Sequence, residues 1–238
     1  MARPEAEVRF AAELRIFLAP RHRDEPARVA CDGVSSLGHM VESLGVPLPE
    51  VGRLVVNAVP VTPAYRLAAG DVAEAAAVDR PQRLPTAQFI LDVHLGTLAR
   101  RLRLVGVDTA YANDLEDDVL IERANAGSRV LLTQDRGLLR RRSLWLGAYV
   151  RGAQPDDQLR DVLDRFAPPL TPWTRCTVCN GLLAPARKAD VEPLLRPGTR
   201  RTYQCFSRCA GCGKVYWRGA HSRRLEAIVA AATRAVGG

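Results

Sequence analysis

FILDVHLGTLARRLRLVGVDTAYANDLEDDVLI, residues 89–121, and RVLLTQDRGLLRR, residues 129–141, decide the fold. Each begins with a short apolar run that reaches an aspartate, Gln88-Phe-Ile-Leu-Asp92 in the first and Arg129-Val-Leu-Leu-Thr133 with Asp135 in the second. Leu95, Leu98, Leu102 and Val105 then recur at helical spacing, with Arg100, Arg101 and Arg103 mostly off the stripe. Val107-Asp-Thr-Ala-Tyr111 reads as a strand, 117–126 as a helix, and a basic helix starts at Asp135. A strand over Trp145–Val150 and a helix over Pro155–Phe166 complete the alternation. This order predicts an α/β unit: a parallel sheet flanked by helices on both faces. In such sheets the functional cleft lies beyond the carboxyl ends of the strands.

Outward from this centre, the proline-containing stretches 79–86 and 168–173 read as linkers. They predict three domains: 1–80, 87–168 and 172–238. In the first, alternation from Val8 to Leu18 predicts a strand, Ser35 or Ser36 caps a helix through Leu44, and Leu54–Asn57 and Val72–Val78 are short strands. The order, with LGVPLPEVGRLVVNAVPV followed by YRLAAGDV, resembles the α+β β-grasp of ubiquitin-like sulfur carriers. It ends near Val78 without their Gly-Gly, so carrier chemistry is excluded there and a protein-docking module is expected.

The net charge of +8 is unevenly held. Residues 1–87 carry 10 basic and 11 acidic side chains, 88–170 carry 12 and 12, and 171–238 carry 12 and 3, a local net of +9. A basic segment of this kind is the footprint of a polyanion, above all nucleic acid. No apolar run reaches membrane-spanning length and the N-terminus lacks a signal-peptide core, so a cytoplasmic protein without a membrane role is expected.

Cys176-x-x-Cys179 and Cys209-x-x-Cys212 present paired thiolates from two tight turns, the pattern of a closed, structural Zn²⁺ site. Cys205 is read as a spare thiol and Cys31 as an ordinary, at least partly buried residue. Lys214-Val-Tyr-Trp-Arg-Gly-Ala-His221 interleaves aromatic and basic side chains, so Lys214, Trp217, Arg218 and His221 are candidate RNA contacts, with one aromatic of Tyr216 and Trp217 expected in the ribbon's core.

Asp92, Asp118 (with Asp117 beside it) and Asp135 each fall at a strand end or helix start. Singly they are ordinary caps. Jointly, a parallel sheet draws such ends together, and clustered carboxylates suit a hard Mg²⁺ or Mn²⁺ ion able to activate water against a phosphodiester. Arg136, Arg140, Arg141 and Arg142, which follow Asp135, and Arg100, Arg101 and Arg103, which follow Asp92, give the site a basic second half, with Arg136, adjoining the acid, best placed to meet a phosphate.

The runs quoted above, with DDQLRDVL, RCTVCNGLL and CAGCGKVYWRGAH, resemble the Mut-seven C-terminal RNase family of PIN-like nucleases, including its zinc ribbon. The resemblance implies a PIN-like domain, preceded by a ubiquitin-like β-grasp domain and followed by a zinc ribbon, and metal-dependent hydrolysis of RNA by Asp92, Asp118 and Asp135. It also calls for a fourth acid, for which Asp157 or Asp156 is the nearest match. Gln134 departs from the arginine common in the family before the last acid. Structured RNA such as tRNA is the expected partner. The rival readings are a non-catalytic RNA- or ribosome-binding factor, and an adaptor working through the β-grasp.

Overall fold

The computed structural model describes residues 4–219 and 222–237. The chain divides into two compact units, one running to Arg80 and taking in Asp135–Tyr149, the other made of Pro81–Gln134 with Val150 onward.

In the first unit, strands β1 (Glu5–Phe10), β2 (Ala27–Ala30), β3 (Val51–Val56), β4 (Val59–Val61) and β5 (Val72–Ala77) form a sheet of order β2-β1-β5-β3-β4. The central β1 and β5 are parallel and the remaining pairs antiparallel. Helix α1 (Leu37–Ser43) begins at Ser36, whose side chain accepts from His39 N at 3.3 Å, as a capping serine should. Its buried Leu37 and Val41 pack with Val8, Leu54, Val56 and Ala73 of the sheet, the β-grasp arrangement expected.

The strand predicted over Val8–Leu18 stops at Phe10 and gives way to a 3-10 turn over Ala12–Phe17. The reason is packing: Leu14 and Phe17, three residues apart, both enter the core, whereas Ile16, which strand alternation would also bury, is 44% exposed. The basic helix expected from Asp135 is a single turn, α4 (Arg136–Leu139), followed by the short strand β9 (Gly147–Tyr149). Phe17 and Tyr149 meet edge-on with ring centroids 5.0 Å apart, and Tyr149 N donates to the buried Glu50 Oε1 at 2.8 Å.

In the second unit, β7 (Thr109–Tyr111), β6 (Phe89–Leu91) and β8 (Val130–Thr133) run side by side in that order, all parallel. β6 and β8 are buried along their whole length, which explains why their sequences are apolar runs and not alternating ones. Helices α2 (Gly96–Leu104), α3 (Asp117–Ala126) and α5 (Pro155–Phe166) flank them. α2 buries Leu98, Ala99 and Leu102, and α5 buries Leu159, Val162 and Leu163, the apolar stripes visible in the sequence. Beyond them, α6 (Lys188–Val191), α7 (Pro197–Thr202) and the antiparallel strands β10 (Leu183–Ala186), β11 (Phe206–Cys209) and β12 (Val215–Tyr216) surround a small core of Val191, Leu195 and Phe206. Helix α8 (Ser222–Val236) follows. Among the described residues, no helix is long and apolar enough to cross a membrane.

Candidate active site and metal centre

Asp92 follows the middle strand, β6. The register pairs Leu91 with Leu132, so Asp92 falls beside Thr133, and Thr133 Oγ1 donates to Asp92 Oδ2 at 2.7 Å. Asp92 is only 6% exposed, its N–H is bonded to Leu132 O, and one carboxylate oxygen is held in a fixed direction. Asp117 and Asp118 lie exposed in the first turn of α3, where the helix dipole favours negative charge. Asp135, also exposed, lies two residues beyond the end of β8 and caps α4, accepting from Gly137 N at 2.6 Å. The three acids thus follow the carboxyl ends of three neighbouring parallel strands. Topology carries them that far, but they are not gathered into one ligand set. Among the described residues, the one group of three or more His, Cys, Asp or Glu whose ligand atoms all lie within 4.8 Å of one another is the cysteine quartet.

The other acids are engaged elsewhere. Asp157 pairs with Arg160 at 3.2 Å on the exposed face of α5, and Asp156 pairs with Arg101. Arg136 donates to Phe17 O at 2.8 Å and to Ile16 O at 3.0 Å, with its guanidinium 5.1 Å from the Phe17 ring centroid. Its charge is directed into the β-grasp unit, and Arg101's to a carboxylate, so a phosphate contact by either would first break these bonds.

Arg100 and Lys214, by contrast, are exposed and line one cavity of about 560 Å³ with Gly96, Tyr111, Asn113 and Val178. Tyr111 OH donates to Val93 O at 2.8 Å, which places this cavity against the loop that leaves Asp92. Gly96 makes the approach possible, because a Cβ there would lie 2.6 Å from Tyr111 OH.

The four cysteines do converge. Cys176 and Cys212 Sγ are 3.7 Å apart and Cys179 and Cys209 Sγ 3.4 Å, near the ~3.8 Å edge of a tetrahedron with ~2.3 Å Zn–S bonds. The donor set fits zinc, and four thiolates leave no position for substrate. Gly181 is needed for room, since a Cβ would meet Cys209 Sγ at 2.9 Å, while Gly213 uses a left-handed φ of 72°. Cys205 lies outside the quartet and Cys31 packs partly buried against the β-grasp core. Burial opposes ionisation of Cys176, yet the Tyr216 hydroxyl at 3.0 Å and the Cys179 and Val178 N–H groups hold its thiol at about 6. The Gly181 N–H favours the Cys179 thiolate, but burial and the Cys209, Cys212 and Cys176 sulfurs push it up to about 12. Tyr216 is therefore the structural member of the aromatic pair, and Trp217 is the exposed one. His221 lies outside the described residues.

The first knuckle is fastened to the parallel strands. Buried Arg103 donates to Thr109 O at 2.8 Å and to Val178 O at 2.7 Å. Asn180, at φ 70°, donates to Asp108 Oδ1 at 2.8 Å and accepts from Thr109 N at 3.1 Å, and Asp108 also pairs with Arg129 and Arg175.

The parallel sheet and the four-cysteine ribbon both fall within residues 87–229, which the Mut7-C RNAse domain matches. The chain belongs to the Mut7-C RNAse domain family. The Mut7-C ubiquitin family matches residues 3–83, which accounts for the β-grasp sheet. No curated protein and no solved structure matches the chain. Within the Mut7-C region, sequence reasoning gave Arg103 to phosphate, whereas the fold buries it against the Thr109 and Val178 carbonyls, and it missed Thr133, Asp108 and Asn180. Asn180 alone carried a signal, an amide residue directly after a C-x-x-C pair, where a left-handed turn is common. The others act across long sequence separations and leave no local mark.

Proposed function

We propose that this protein is a metal-dependent ribonuclease that hydrolyses RNA phosphodiester bonds at the carboxyl ends of β7, β6 and β8. The PIN-like domain 87–168 is read as the catalytic one, 172–238 as the RNA-holding ribbon and 1–80 as a docking domain for a protein partner. Membership of an RNase family, together with one acid following each of three adjacent parallel strands, carries the reading. Asp92, Asp118 and Asp135 would hold Mg²⁺ or Mn²⁺, whose oxygen preference fits carboxylates. A divalent ion bound there supplies Lewis acidity and a nucleophilic water. Thr133 keeps Asp92 oriented, Arg100 and Lys214 hold backbone phosphates beside the loop after Asp92, and zinc in the cysteine quartet shapes the ribbon. Asp117 and Asp157 are auxiliary acids in this scheme, and Trp217, Arg218 and His221 further RNA contacts. Cytoplasmic structured RNA such as tRNA is the proposed substrate.

The carboxylates' failure to form a ready ligand set favours one second reading, a factor that binds RNA without cutting it. Zinc-replete protein, wild type and Asp92→Asn, is incubated with tRNA and single-stranded RNA, with and without added Mg²⁺ or Mn²⁺. The nuclease reading expects ion-dependent cleavage by the wild type alone. Binding by both forms with cleavage by neither, under either ion, would establish the second reading.

A further inference from the structure

A second cavity, of about 760 Å³, lies between the ribbon and the start of α8, and its walls include Trp173, Tyr203, Phe206, Tyr216 and Trp217. The chain has only 13 Phe, Trp and Tyr residues in 238, so five around one space is a strong concentration. Arg175, paired with Asp108 at 3.1 Å, and Arg218 also line it, and among the described residues no acidic side chain does. The volume is that of a small-molecule site, enough for a nucleoside and too small for a helical duplex.

Two local features point to a built site and not a packing gap. Trp173 adopts φ 67°, a conformation that bulky side chains rarely take, held by its N–H to Leu104 O at 3.0 Å. Arg218 lies 5.4 Å from the Trp173 ring centroid, so one wall pairs an aromatic ring with a cation. Trp217, opposite in character, is 43% exposed although it lines the cavity, and an indole left this open offers a free π-face. At Gly219 a Cβ would stand 3.0 Å from Trp217 Nε1 and 3.2 Å from Tyr203 OH, so a side chain there would crowd both groups.

We propose that this aromatic cavity binds one unstacked nucleobase of single-stranded RNA, with Trp217 as the stacking platform. The occupant follows from charge and shape together. Among the described residues the lining is aromatic with arginines and no carboxylate, and Arg201, Arg223 and Arg224 flank it in sequence on α7 and α8. A π-face beside cations is what a base and its phosphate require. The inference rests on the RNA reading above but gives the cavity a role of its own. Arg100 and Lys214 hold backbone, whereas this cavity recognises an unpaired base and so selects single strands.

The test uses full-length, zinc-loaded protein without added divalent ion. Affinities of wild type, Trp217→Ala and Trp217→Phe are measured by fluorescence anisotropy for a short oligoadenylate, an abasic ribose-phosphate oligomer of equal length, and a duplex of equal charge. Trp217→Ala is expected to lose ~10-fold for the oligoadenylate and nothing for the abasic oligomer, with Trp217→Phe close to wild type. Adenosine alone should quench wild-type tryptophan fluorescence, a readout independent of any variant's folding. Equal binding of oligoadenylate by wild type and Trp217→Ala, or no quenching by adenosine, overturns the base pocket and leaves the RNA reading standing. Absence of binding to any of the three nucleic acids overturns both.

Discussion

Replacing Arg103 with methionine tests whether the zinc ribbon depends on the parallel strands for its stability. The side chain is 3% exposed, and its Nε and Nη1 make two short bonds, 2.8 Å to Thr109 O and 2.7 Å to Val178 O, with a longer one of 3.3 Å to Thr177 O. Hydrogen bonds from a charged donor contribute about 1.5–3 kcal/mol each, or roughly 3–6 kcal/mol for the two short ones. About half of this is offset, because methionine avoids the cost of burying a cation. Thr109 is fully buried, so its carbonyl loses a partner outright. The net cost is then ~2–3 kcal/mol. For a chain of this length that corresponds to a fall in Tm of roughly 5–10 °C. Scanning calorimetry at saturating zinc measures the shift, and hydrogen exchange at the Cys176–Asn180 amides locates it. Arg103→Lys should recover only part of the loss, since a lysine has no fork to span two carbonyls. A shift below about 1 °C, with unchanged exchange in the knuckle, would refute the reasoning and make the ribbon an independent module.

Thr133→Val keeps the shape and removes the hydroxyl that orients Asp92. It should cost about 1–2 kcal/mol in urea denaturation and ~10-fold or more in cleavage, and unchanged cleavage would remove Asp92 from the site. Arg100→Ala and Lys214→Ala should each lower the slope of log affinity against log salt by about 0.7 for single-stranded RNA, whereas Arg136→Ala, whose cation is directed to backbone carbonyls, should leave it unchanged. Burial works against the Asp108 carboxylate, yet bonds from Arg129 and Asn180 and the charge of Arg175 hold its pKa below the usual value. A folded pKa below the unfolded one means that this stabilisation is present above about pH 4 and is lost as pH falls through the folded value. Wild type and Asp108→Asn should therefore converge in Tm as pH drops below about 4, and parallel curves would count against the linkage.

Legibility of this chain in its sequence follows range. The cysteine pairs, the apolar stripe of α2, the Ser36 cap and the buried strands ending near Asp92 and Asp135 are patterns of two to four residues, and each is legible because helix, strand and turn repeat on that scale. The end of β1 at Phe10 is not, because Leu14, Ile16 and Leu18 suit a strand while Leu14 and Phe17 suit a short turn, and only a core chooses between them.

By itself the sequence determined the strand–helix alternation of the parallel unit, the family, the zinc-competent thiols and the aspartates' places at strand ends or helix starts. Tertiary structure alone decided where the charges went. Arg136 reaches the carbonyl of Phe17 across 119 residues, Arg103 that of Val178 across 75, and Asp92 finds Thr133 across 41. It also closed the cysteine quartet, whose two pairs lie 30 residues apart or more in sequence. The physical reason is that a side chain's partner is set by which distant backbone the fold brings within ~3 Å, and no local periodicity carries that information.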